Sequence, residues 1–222
     1  FAISKENEYK ALNTLHDCFF LSEYKTIHLF IIGVGLIGKT LINQIIKNKE
    51  RIQKDSGIEI VVDGLSNSKK MCLDNDGIDL TKYEEYLEKS QDVANISEYI
   101  SKMKKFNLAH SIFIDNTASA KVPPFYPEIL KSNIAISTPN KIALSSDLVT
   151  YKNIKRISSE KNVPFRFETN VGAGLPIMST LQNLVSSGDK IIKIEAVLSG
   201  SLSYIFNTFN SSFNFSNVIK DA

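Results

Sequence analysis

Apolar residues fall along this chain in short runs, each bounded by glycine, proline or polar turns. The first run, Ile27–Ile32, is interrupted only by His28. It meets Gly33-Val34-Gly35-Leu36-Ile37-Gly38 and passes directly into a helix-patterned segment that reaches Ile46. Runs of this length with turn signals at both ends predict buried strands. A β-branched run follows at Ile58–Leu65, and further strands are predicted at His110–Asp115, Asn133–Ser137 and Val163–Phe167. Between them, helices are predicted over Thr81–Lys89, Ile96–Lys105, Val122–Ser132 and Ser145–Lys161, the third opened by Pro123-Pro124. Lys47–Gly57 reads as a polar turn and Ser66–Asp79 as a polar loop. Strand alternating with helix predicts an α/β fold built on a doubly wound parallel sheet, with ligands at the carboxyl ends of its strands.

The pattern changes after Glu168. Val171–Pro176 is a second glycine-rich turn, followed by a predicted helix over Ile177–Ser187 and a long alternating strand over Lys190–Leu198. Ser199–Asn207 then reads as a polar turn opening another helix, the start of a second, α+β part. Ahead of the first strand, Phe1–Tyr24 carries a helical pattern with Ala11, Leu12, Leu15 and Phe19 on one face. The expected divisions are a linker or tail over residues 1–25, a nucleotide-binding domain over 26–150 and an incomplete substrate and dimerisation domain over 151–222.

Composition narrows the class. With 43% hydrophobic and 23% charged residues in 222, the chain can bury a full core. A net charge of +2 argues against nucleic acid or an anionic membrane as partner. The longest apolar runs fall far short of a membrane span. Cys18 and Cys72 lack metal or redox spacing and read as reduced thiols of a cytoplasmic protein. His16, His28 and His110 are equally isolated and are taken as structural or exposed.

The glycine turn carries the first chemistry. Gly33 permits the sharp turn, Gly35 lets the backbone approach a pyrophosphate, and Gly38 lets helix and strand pack closely. The free N–H groups at the helix start favour phosphate charge. G-x-G-x-x-G also occurs in ordinary loops and in adenosyl-cofactor methyltransferases, and both readings stay open on this motif alone. Asp63 could serve as the acid that holds an adenosine ribose, but Gly64 and Leu65 follow it, which places it inside the second strand.

Five stretches together resemble homoserine dehydrogenase. They are GVGLIG at the turn, NSK at Asn67–Lys69, TPNKIALS at Thr138–Ser145, ETNVGAGLPI at Glu168–Ile177 and LSGSLSYIFN at Leu198–Asn207. They occur in that family's order and spacing, and the likeness covers nearly the whole chain. Ala11–Phe20 resembles the junction of bifunctional aspartokinase–homoserine dehydrogenases. The resemblance implies a Rossmann-type coenzyme domain followed by a partial α+β catalytic and dimerisation domain. It implies reversible reduction of L-aspartate 4-semialdehyde to L-homoserine by NADP(H) or NAD(H), on the way to threonine and methionine, in a homodimer or higher homo-oligomer.

The same resemblance assigns residues. Gly33, Gly35, Leu36, Ile37 and Gly38 would hold the coenzyme, with Asn67, Ser68 and Lys69 at its adenosine end, where Lys69 and Lys70 favour NADP(H) or are simply solvated. Thr117 and Lys141 would meet the nicotinamide, and Lys141 would also place an ammonium near a developing oxyanion. Thr117 has an alternative as a turn cap, and Lys141 as a solvated lysine. Glu168 with the carbonyls of Val171, Ala173 and Leu175 would form a monovalent-cation site, hard oxygens suited to sodium; the alternative is a plain glycine hinge. Ser199–Tyr204 would face cofactor and substrate, or cap a helix.

In the family, a Gly-Tyr-Thr-Glu-Pro-Asp-Pro-like motif and an Asp…Lys pair follow the point where this sequence stops, and neither occurs in residues 1–222. The expectation is a chain that binds NADP(H) and turns over poorly. Two other readings are another two-domain NAD(P) oxidoreductase and a cofactor-binding and dimerisation module without turnover.

Overall fold

In the computed structural model, the first apolar run forms β1 (Lys25–Ile32), exposed at its first residue and buried over its last four. The structure describes residues 24–210 and 214–222, with isolated positions before residue 24. Of the face expected in Phe1–Tyr24, Ala11, Leu12 and Leu15 are described and helical, with Leu12 and Leu15 exposed, while Phe19 lies outside the described residues. The chain divides into two compact units, Phe1–Arg166 and Phe167–Ala222.

The first unit is a sheet with helices. Its strands after β1 are β2 (Ile58–Ser66), β3 (Met71–Leu73), β4 (Ser111–Asp115), β5 (Ala135–Ser137) and β6 (Phe165–Arg166). The spatial order is β3-β2-β1-β4-β5-β6. All pairs are parallel except β2 with β3. The chain therefore begins at the centre, moves outward through β2, and crosses back to lay β4 on the other side of β1. That reversal opens a crevice at the carboxyl ends of β1 and β4, where doubly wound sheets bind ligands.

The helices that cover the sheet are α1 (Leu36–Ser56), α2 (Tyr83–Lys89), α3 (Ile96–Phe106), α4 (Tyr126–Lys131), α5 (Ile142–Ser145) and α6 (Leu148–Lys161). Side chains alternate across a strand. On one face Leu29 and Ile31 pack with Ile42 and Ile45 of α1 and with Val62 and Leu65 of β2. Their neighbour Phe30 is fully buried and stacks its ring 6.0 Å from that of Phe106, while Tyr99 meets Phe113 edge-on at 6.4 Å. Each such side chain contributes about 1.5–3 kcal/mol by leaving water.

Three local expectations change. The polar stretch Lys47–Gly57 is not a turn, because α1 runs on to Ser56 and ends at Gly57, whose φ of 63° is the left-handed cap glycine favours. Polar residues there form the solvent face of a long helix. The loop expected over Ser66–Asp79 contains β3. Asn67 Oδ1 accepts the backbone N–H groups of Lys69 (2.7 Å) and Lys70 (2.8 Å), and this side-chain-made turn sends the chain back along β2. The first unit also reaches Arg166, past the expected division at residue 150, because α6 returns the chain to pair β6 with β5.

The second unit holds a short 3-10 turn (Glu168–Asn170), α7 (Ile177–Ser186), α8 (Gly200–Thr208) and α9 (Phe215–Asp221). The strand expected over Lys190–Leu198 does not form. The segment has no ladder partner among the described residues, and Ile192 and Val197 are 97% and 80% exposed. Alternation alone does not make a strand; a hydrogen-bonding neighbour does. Among the described residues no helix is long and apolar enough to cross a membrane.

Candidate functional site

The glycine turn sits where β1 ends, and its three glycines are required for different reasons. Gly33 has φ +85°, and a Cβ there would lie 2.8 Å from Asn116 C and from Thr117 Cγ2. At Gly38 a Cβ would come within 2.1 Å of the Gly33 carbonyl oxygen, so any side chain would pry α1 off the strand. Gly35 is the reverse case, with nothing within 4 Å of a Cβ. It is the N-cap of α1, no side chain caps that end, and no acid lies in the first turn. The first-turn N–H groups therefore face open space with the positive end of the helix dipole behind them, as an anion requires.

Above this turn lies a cavity of about 720 Å³. Gly33, Val34 and Gly35 form its floor, Asn67 and Ser68 one wall, and Asn116, Thr117 and Ser119 the other. The residues fit a dinucleotide: an open cradle at Gly35, uncapped helix N–H groups, and polar walls on both sides.

Not every expected residue lines that space. Leu36 and Ile37 are exposed on the first turn of α1, 86% and 52% respectively, and Gly38 is buried beneath them. Lys69 is exposed beside the Asn67 turn. Lys70 is committed elsewhere, since its Nζ donates to the Ser90 carbonyl at 2.6 Å. Asp63 lies inside β2, fully buried, with its carboxylate 3.0 Å from His28 Nδ1. The β1–β2 register shifts beside it, where Leu29 pairs with Val62 and Phe30 with Gly64. Burial pushes its carboxyl up, with the His28 hydrogen bond opposing.

The opposite wall is held by a buried polar network. Thr117 accepts the Ser119 N–H on Oγ1 (3.2 Å), and its own N–H donates to Asp115 Oδ1 (2.8 Å). Its hydroxyl thus makes the turn-capping bond while its residue lines the cavity. Lys141 is exposed at the start of α5, directly after Asn140, whose Nδ2 donates to the Ser119 carbonyl at 3.0 Å. Lys141 is therefore tied to the wall through its neighbour and does not itself line the cavity. Lys121 does line it and was not singled out by motif, because an isolated lysine after a loop gives no spacing signal. Asp115 was also missed, although an acid ending an apolar strand is the available sign.

In the second unit Glu168 works as a helix cap. Its Oε1 accepts the Met178 N–H (2.9 Å) and its Oε2 the Ser179 N–H (2.8 Å), at the first turn of α7. Val171 follows within the turn, Ala173 has φ +51°, and the Leu175 carbonyl accepts the Ile177 N–H at 2.9 Å. Among the described residues no cluster of His, Cys, Asp and Glu could hold a metal. A cation here would rest on one carboxylate and backbone carbonyls. Ser199 caps α8, accepting the Leu202 N–H on Oγ (3.2 Å).

The reversal of strand order, the uncapped glycine turn and the cavity above it define a dinucleotide-binding doubly wound domain. The chain belongs to the homoserine dehydrogenase family, whose members are NAD(P)-dependent oxidoreductases: residues 33–168 match the model of the homoserine dehydrogenase NAD binding domain, and residues 176–222 match that of homoserine dehydrogenase. It is 37% identical to a bifunctional aspartokinase/homoserine dehydrogenase 1, chloroplastic, of Zea mays, covering 99% of this chain and 24% of that protein. It is 35% identical to the homoserine dehydrogenase of Schizosaccharomyces pombe, covering 88% and 54%. The chain thus spans about a quarter of the bifunctional relative and about half of the yeast enzyme. Among solved structures, a Candida auris protein of unknown function matches at TM-score 0.75 and 36% identity, over 88% of this chain and 55% of that one. A hyperthermophilic archaeal homoserine dehydrogenase in complex with NADPH matches at TM-score 0.72 over 89% and 60%; at 21% identity it shares the fold.

Proposed function

We propose that the whole protein interconverts L-homoserine and L-aspartate 4-semialdehyde with NADP(H) or NAD(H), a step toward threonine and methionine, and that this chain supplies the coenzyme-binding part. The observation that carries this reading is the open cradle over Gly35 in a chain of the homoserine dehydrogenase family. The bound nicotinamide supplies or accepts the hydride. The chain's own residues bind and orient it: the first turn of α1 takes the pyrophosphate, Asn67, Ser68 and Lys69 the adenosine end, and Thr117 and Lys141 the nicotinamide end. Lys141 also lends positive charge where an alkoxide develops. Exposed Lys69 supports NADP(H), while Lys70, already bonded to Ser90, does not add to that preference.

Glu168 and the carbonyls of Val171, Ala173 and Leu175 hold a sodium ion that braces the turn before α7. Hard oxygen chemistry supports this, since each carboxylate oxygen keeps a lone pair beyond its single N–H bond. The protein works as a homodimer or higher homo-oligomer in the cytoplasm, and the exposed apolar Lys190–Leu198 segment supports self-association.

The test pairs coenzyme titration with homoserine oxidation, on this chain and on a version extended at its C-terminus. Both should bind NADPH or NADH, and the longer one should oxidise homoserine much faster. A longer protein that binds coenzyme and ignores homoserine would favour another NAD(P) oxidoreductase. A folded chain that binds no coenzyme would overturn the reading altogether.

A further inference from the structure

Asp115 ends β4 fully buried, and no ion pair to it occurs among the described residues. A carboxylate so placed is costly unless every lone pair in reach finds a donor. Here Oδ1 accepts the Thr117 N–H (2.8 Å), and Oδ2 accepts the Tyr126 hydroxyl (2.6 Å) and Asn140 Nδ2 (3.0 Å). The Asp115 backbone carbonyl accepts the Thr138 hydroxyl (2.9 Å), whose oxygen in turn accepts the Asn140 N–H (2.9 Å). Asn140 uses its second amide hydrogen on the Ser119 carbonyl, and its Oδ1 accepts the Ile142 N–H (3.1 Å). One anion thus pins the turn after β4, the start of α4 and the turn after β5.

The groups held this way all serve one side of the cavity. Thr117 and Ser119 line it, and Lys141 follows Asn140. The other wall is independent, because Asn67 is fixed by its own bonds to Lys69 and Lys70. In a doubly wound sheet the pyrophosphate lies at the first glycine turn and the adenosine ribose beyond the second strand, which leaves the β4–β5 side for the nicotinamide.

We propose that Asp115 is a positioning residue for the nicotinamide half of the coenzyme, acting through Tyr126, Thr138 and Asn140 without touching it; the proposal rests on the coenzyme reading above. Asparagine at this position would keep one acceptor and turn the other into a donor, facing either the Thr117 N–H or the Tyr126 hydroxyl and Asn140 Nδ2. Phenylalanine at Tyr126 would leave Oδ2 one donor short while keeping the ring against Phe165.

The experiment measures binding of NADPH and of ADP-ribose or 2′,5′-ADP, whichever half-ligand the unmodified chain binds. It compares Asp115→Asn, Tyr126→Phe and a control, Ile129→Val, on the same helix as Tyr126. The expected result is that NADPH affinity falls about tenfold in the first two, while the half-ligand stays within about twofold and the control changes neither. Should Asp115→Asn fail to fold, Tyr126→Phe carries the test. Equal losses on both ligands in step with Tm would mark a purely structural network and overturn the proposal, as would unchanged NADPH affinity. An unmodified, folded chain that binds neither ligand would instead sink the coenzyme reading and this proposal with it.

Discussion

The two units use similar residue types to opposite effect. In the first, β-branched and aromatic side chains close around a sheet, and Phe30, Ile31, Phe113 and Ile136 are fully buried. In the second, Ile192, Ile194, Val197 and Phe206 are at least 60% exposed, and Val218 on α9 is one of its few buried apolar side chains. The difference lies in backbone pairing more than in hydrophobicity. Strands that find neighbours give side chains a surface to pack on, whereas Lys190–Leu198, without a ladder, leaves its apolar residues in water. The coenzyme cradle depends on the first condition, since its walls are loops held at fixed strand ends.

The sharpest way to break this comparison is to cut into the sheet core. Phe113→Ala should destabilise the first unit by about 3–5 kcal/mol and abolish coenzyme binding, as read by denaturant unfolding and NADPH titration. Next in size is Gly38→Ala, whose Cβ cannot sit 2.1 Å from the Gly33 carbonyl. It should cost about 2–3 kcal/mol. Gly35→Ala, with open space around it, should leave Tm within about 2 °C yet weaken NADPH at least about tenfold. If both alanines act alike on stability and binding, the glycines are not doing different jobs.

A smaller effect concerns the buried Asp63 beside the register shift. Its carboxyl is raised by burial, so the folded chain holds this proton more tightly than the unfolded one. The linked stability is present below the unfolded carboxylate range and is lost as pH rises through the folded value. Asp63→Asn should therefore gain in stability relative to the parent as pH rises above the unfolded carboxylate range, in paired melting curves. A gain that shrinks with rising pH would mean that the hydrogen bond with His28 outweighs burial. Smallest of all, Ile192→Ser should change stability by less than about 0.5 kcal/mol while reducing self-association in sedimentation.

How much of this was legible in the sequence follows from range. Apolar runs and the glycine turn are local signals, and they located the sheet strands and the floor of the cavity. β3 was invisible because its cause is one side chain, Asn67, accepting two backbone N–H groups. The length of α1 was underread because a solvent-facing helix and a polar loop share a composition. Lys190–Leu198 shows the converse error, an alternating pattern without a partner. Of the residues lining the cavity, Gly33 and Gly35 were marked by the glycine motif and Thr117 by its place at a strand end. Lys121 in the lining and the bonds of buried Asp115 were not, because both depend on which strand ends the topology brings together.

That dependence has a consequence in time. The floor of the cavity follows β1 and its far wall follows β4, with β2, β3 and the helices α1, α2 and α3 threaded between them. Gly33 meets Asn116 and Thr117 only after β4 has docked beside β1, and Asp115 finds its last donors only with Asn140. On a ribosome adding about 5–20 residues per second, the glycine turn emerges seconds before its opposite wall. Coenzyme can thus stabilise the sheet once β4 is in place but not seed it, and in refolding its fluorescence should report the docking of β4 beside β1.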